Sequence, residues 1–113
     1  MPTSHQVSLF ASPDESASRA DDVRRLKTLA EEVLPEKAAS GDYPVRFDHC
    51  FKRIAYDVAV GTQWDTEVAP PFYQHATPDQ LRRAIAVLWE MIGDPDRAAT
   101  YNQQSLRYRD VRA

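Results

Sequence analysis

The sequence predicts an all-α domain of four helices with a long aromatic and proline-rich loop between the second and third. Two observations lead there. Apolar residues recur at three- and four-residue spacing in successive stretches, the period of a helix with one buried face. The punctuation comes from eight prolines and only three glycines, with no convincing alternating strand between them. A length of 113 residues predicts one domain, and 42% apolar residues suffice for its core. The expected layout is a flexible N-terminal segment over residues 1–11, carrying Leu9 and Phe10, followed by a single helical domain over 12–113.

Ser12-Pro13-Asp14-Glu15 reads as a helix start: a serine cap, a proline suited to the first helical position, and an acid closing a capping box. Asp21 and Asp22 suit the first turn of a later start equally well. Val23, Leu26, Ala30, Val33 and Leu34 form the apolar stripe of this first helix, and Pro35 is its expected end. Residues 35–43 follow as a polar connector, turning at Ser40-Gly41-Asp42. Pro44 then suits the first turn of the second helix, with Asp42 or Tyr43 as its cap.

The second helix has the cleanest stripe. Phe47, Cys50, Phe51, Ile54, Ala55 and Val58 fall at offsets 0, 3, 4, 7, 8 and 11. Gly61 is a natural left-handed stop. Residues 62–76 resist a regular reading, although a single turn around Thr66–Ala69 fits. Pro70-Pro71 breaks any element there, yet Trp64, Val68, Phe72 and Tyr73 are too apolar for free solvent. Such a loop is either a pocket wall or a lid filling gaps between helices.

Thr77-Pro78-Asp79-Gln80 is the strongest local signal, a complete capping box. Leu81, Ala84, Ile85, Leu88, Trp89 and Ile92 repeat the same offsets to form the third helix. Gly93 stops it and Asp94-Pro95 starts the fourth at once, which forces an αα-hairpin. The fourth helix has a thinner stripe of Ala98, Tyr101, Ser105 and Tyr108, with Leu106 off it.

Composition excludes several classes. No apolar run approaches the roughly 20 residues of a membrane span. Residues 1–11 lack the basic start and apolar core of a signal peptide, so a cytoplasmic protein is expected. One cysteine and three histidines cannot build a cysteine-rich zinc site, and no metal or other cofactor is expected. Walker, dinucleotide and serine-elbow motifs are absent. A net charge of −3 counts against nucleic acid, although residues 97–113 carry four arginines against one acid.

What chemistry there is concentrates on the second helix, opposite its apolar stripe. His49, Arg53 and Tyr56 share a face, and Arg53 and Asp57 form an i, i+4 pair. With Trp64, Tyr73 and His75 from the loop, they make a candidate binding site in which arginine holds an anion, histidine handles a proton and tyrosine stacks or donates. A solvated helix face with ordinary ion pairs accounts for the same residues. Cys50 falls on the apolar stripe, with His49 about 100° away around the helix, so it reads as core rather than nucleophile. A metal held by Asp48, His49, Asp57 and His75 lacks any specific spacing.

The resulting expectation is a binding or regulatory module acting through a protein partner or a small anionic ligand. A homodimer through the first or fourth helix would bury further surface. The alternative is a small enzyme using His49 or His75 with Asp57 or Asp65 for acid–base work, with or without a metal.

Overall fold

The computed structural model describes the backbone of residues 11–110 and the side chains from residue 18. The segment 1–10 with Leu9 and Phe10, and the C-terminal residues 111–113 with Arg112, lie outside the described residues. All regular structure among the described residues is helical: α1 (Ala11–Thr28), a π-helical turn (Leu29–Val33), α2 (Leu34–Ala39), α3 (Asp48–Val60), a 3-10 turn (Trp64–Thr66), the one-turn α4 (Phe72–His75), α5 (Pro78–Met91) and α6 (Pro95–Arg109). The predicted second, third and fourth helices are α3, α5 and α6.

The first helix departs from expectation at both ends. Its helical backbone already includes Ser12, so the predicted cap there falls inside the helix. It also runs through Pro35 instead of stopping. A proline inside an α-helix lacks the N–H and collides with the carbonyl four residues back. Here the π turn lengthens the hydrogen-bond step, Leu34 N–H donating to the Leu29 carbonyl. Pro35 then occupies the start of α2, where its missing donor is not needed. The polar connector therefore shrinks, and Ala38, expected within it, is buried.

The start of α3 also moves. Pro44 does not open it: the helix begins at Asp48, with Phe47 in extended conformation before it. Tyr43 explains the delay. Its hydroxyl donates to the Met91 carbonyl and accepts from the Gly93 N–H, both at 2.7 Å, and its ring meets Phe51 edge-on. The chain is thereby pulled across the end of α5 before it can turn into a helix.

The remaining local stop and start signals, at Gly61, Thr77-Pro78, Gly93 and Asp94-Pro95, appear as read. Gly61 and Gly93 have φ of 89° and 73°, the left-handed region that glycine enters freely. Thr77 Oγ1 accepts from Gln80 N–H at 3.0 Å and Gln80 Oε1 accepts from Thr77 N–H at 2.8 Å, closing the capping box. Asp94 caps α6 by accepting from Arg97 N–H at 3.0 Å. Glu90 ties the α5–α6 hairpin together, accepting from Tyr101 Oη and from Arg97 Nη1.

α3 is the central element. It packs on α5, α6 and the π turn, while α1 lies along α5. Phe51, Ile54, Leu81, Leu88, Leu26 and Leu34 are fully buried between them. Two predicted stripe members fall outside: Phe47 is 62% exposed and Trp89 55%. On α5 the buried arc includes Val87 and Met91, so its centre lies between Ala84 and Leu88. Trp89 sits roughly 40° beyond Ile85, past the edge of that arc.

Candidate functional site

The second half of α3 has no solvated face. Tyr56, Asp57 and Ala59 are buried along with Ile54 and Ala55 of the predicted stripe, because α6 covers one flank and the 62–76 loop with the π turn covers the other. The candidate residues are thereby divided into two internal clusters and an outer set.

The first cluster is polar and lies between α3 and α6. Asp57 is fully buried, and its carboxylate accepts four hydrogen bonds. Oδ1 takes Trp64 N–H at 2.9 Å and Arg109 Nη2 at 3.1 Å. Oδ2 takes Ser105 Oγ at 2.6 Å and Arg109 Nε at 2.7 Å. Ser105 in turn accepts from Arg53 Nη1 at 2.8 Å, and Arg53 Nη2 donates to Asn102 Oδ1 at 2.8 Å. Arg53 and Asp57 thus meet through Ser105 rather than as the simple i, i+4 pair. A buried carboxylate is tolerable only when charged and hydrogen-bonded partners replace its water, and this one is fully supplied. Its lone pairs are committed to holding three chain segments together.

The second cluster is aromatic. Tyr56 stacks on Phe72 with centroids 3.9 Å apart, and Trp64 stands edge-on to both at 5.4 and 5.6 Å. The loop aromatics therefore pack under the loop against α3. Burial first, and then the nearby Glu31 carboxylate and Tyr73 phenol, holds the Tyr56 phenol well above the ordinary tyrosine range. The unfolded chain releases this proton above about pH 10, whereas the folded chain keeps it. The stabilisation is accordingly intact at neutral pH and declines as pH rises beyond that value. In urea unfolding at alkaline pH, Tyr56→Phe should show a shallower loss of stability than the parent; parallel curves would contradict the assignment.

The remaining candidates face outward. His49 is exposed, stacked parallel to Phe47 at 5.9 Å, with Nδ1 3.7 Å from the Asp48 carboxylate. It lies two turns, roughly 12 Å along the axis, from Asp57. His75 Nδ1 sits 3.0 Å from the Ala69 carbonyl and closes the loop on itself around the cis Pro70-Pro71 bond. The 3-10 turn at Trp64–Thr66 and the turn of α4 stand where a single turn at Thr66–Ala69 was expected. Asp65 is exposed and accepts from Gln63 Nε2 at 3.1 Å. Cys50 is a half-buried free thiol. Tyr73 lies under the Lys27 ammonium at 4.3 Å, and its carbonyl accepts from Arg19 Nη2 at 2.9 Å. Asp48, His49, Asp57 and His75 do not assemble; among the described residues no three His, Cys, Asp or Glu side chains are grouped to hold a metal.

Residues that the sequence placed on helix faces or in the tail, but not in the site, complete the picture. Asn102, Ser105 and Arg109 recur at three- and four-residue spacing on the inner face of α6, a polar row within an apolar stripe that signals a buried acceptor opposite. Trp89 forms one wall of a shallow groove of about 440 Å³ between α5 and α1, with Leu29 and Val33 in its lining. Arg19, Arg24 and Lys27 line another of about 490 Å³ along α1. No helix among the described residues is long and apolar enough to cross a membrane. No family model, curated protein or solved structure matches the chain.

Proposed function

We propose that the chain is a non-enzymatic binding module of the cytoplasm that acts through a protein partner seated against Trp89, the first such partner being a second copy of itself. The observation that carries this reading is the exposure of Trp89, at 55%, beside a groove with Leu29 and Val33 in its lining. A half-exposed tryptophan beside a depression partly lined by aliphatic side chains costs hydration free energy until another surface covers it, and tryptophan is the residue type most enriched at interface hot spots. Asp21, Arg24 and Arg25 line the same groove. A patch bearing both signs is self-complementary across a two-fold axis, since the acid of one copy can meet the base of the other. The candidate acid–base groups support the same choice: Asp57 is saturated with structural hydrogen bonds, and His49 and His75 are exposed whereas Asp57 is fully buried.

Sedimentation at increasing concentration tests the proposal. The parent chain should shift from monomer to dimer, and Trp89→Ala should remain monomeric, with the parent's thermal midpoint at concentrations where the parent is itself monomeric. A parent chain that stays monomeric throughout would remove the second copy as partner.

A further inference from the structure

We propose a second docking surface, the face of α1 beside the 72–76 turn, whose occupant is an acidic amphipathic segment of a partner protein. The proposal rests on the reading of the chain as a binding module, but not on self-association at Trp89.

Among the described residues the groove there is lined by Arg19, Ala20, Val23, Arg24 and Lys27, with three cations, two small apolar side chains and no acid. How these cations are held matters more than their number. Arg19 donates to the Tyr73 and Ala76 carbonyls, each at 2.9 Å, so neutral acceptors fix its guanidinium in place without cancelling its charge. Lys27 rests over the Tyr73 ring at 4.3 Å, again a neutral partner. Among the described residues neither has a carboxylate partner; Arg24 alone is paired, with Asp21. Two fixed positive charges without a carboxylate partner among the described residues thus stand on a chain whose net charge is −3.

Arg19, Val23 and Lys27 form one row at four-residue spacing, so the cations stand two turns, roughly 12 Å, apart with an apolar residue between them. Carboxylates two turns apart on a partner helix, with an aliphatic side chain between, match that row in charge and spacing. Ala20 and Val23 are small enough to let another helix approach closely. Ala20 and Val23, the apolar residues among those described in the lining, are too small to anchor in a bilayer, which favours a protein segment over a lipid surface.

The test uses the full chain and a fluorescein-labelled helical peptide with glutamates on one face and leucines on the other, read by anisotropy. The glutamate peptide should bind, a lysine-for-glutamate version should not, and added salt should weaken the complex. Lys27→Glu, which leaves the Arg24 side chain of the Trp89 groove untouched, should weaken binding at least about tenfold. Trp89→Ala should bind the peptide like the parent, which separates this surface from the dimer contact. Should this charge reversal disturb the circular dichroism spectrum, Lys27→Gln serves in its place with a smaller loss expected. Equal binding of the two peptides, or variants that bind like the parent, would overturn the proposal. So would co-sedimentation with phosphatidylserine-containing vesicles by a chain that ignores the glutamate peptide.

Discussion

Replacing Arg109 with methionine should lower the free energy of unfolding by about 2–3 kcal/mol, among the largest losses expected of any substitution on the α6 surface. The aliphatic stem survives, so the loss reports the guanidinium. Without it, the fully buried Asp57 carboxylate keeps Ser105 and the Trp64 N–H but loses its only cationic partner among the described residues. Removing one member of a buried pair is costly because the other charge remains dehydrated. The estimate sits below the usual range for fully buried pairs because Arg109 is still 28% exposed. Urea unfolding of Arg109→Met, Asp57→Asn and the double variant measures it directly. The double variant should lose much less than the sum of the singles. Additive losses, or a single loss under about 1 kcal/mol, would mean that the pair does not hold α6 against α3.

The second large effect belongs to the loop. Phe72→Ala should cost about 3–4 kcal/mol, the scale for truncating a fully buried phenylalanine. Its ring stacks on Tyr56 and meets Trp64 edge-on, so the cavity would open beneath the 62–76 segment. The same variant should increase amide exchange across residues 64–75 more than in α5, because the loop loses its main apolar anchor. A loss near 1 kcal/mol, with exchange unchanged, would show that this segment is a loose lid instead of a packed cover.

These two expectations mark where the sequence was readable and where it was not. Thr77-Pro78, Gly61 and Gly93 were legible because each signal acts through the backbone within a few residues. The stripes of α3 and α5 were legible from their period, which located Phe51, Ile54, Leu81 and Leu88 in the core. Asp57 was legible as a charged residue opposite a stripe, but not as a buried one. Its burial depends on Ser105 and Arg109, 48 and 52 residues away, arriving at the same point. No local pattern contains that convergence. Trp89 failed for a subtler reason, since its spacing admits it to the stripe while the packing centre of α5 lies to the other side. Of the candidate site, the loop aromatics were recognised as a group, but two of them, Trp64 and Phe72, turn inward onto Tyr56. The cations of α1 were not recognised, because the neutral partners that isolate them come from the far side of the fold.

The π turn at Leu29–Val33 has a consequence for chain length. Leu26, Ala30, Leu34 and Ala38 stand at steps of four and are all buried. Each such step overshoots an α-helical turn by roughly 40°, so a straight helix would carry Ala38 well away from Leu26. The widened turn absorbs that drift and is equivalent to one residue inserted into an otherwise regular helix. A chain shortened by one residue within Leu29–Val33 should revert to a plain α-helix and keep Leu34 and Ala38 facing inward. It would also return the proline to a helix interior, where that residue is not tolerated. Shorter versions of this fold should therefore lack the extra residue and the proline together, and versions that keep one should keep both.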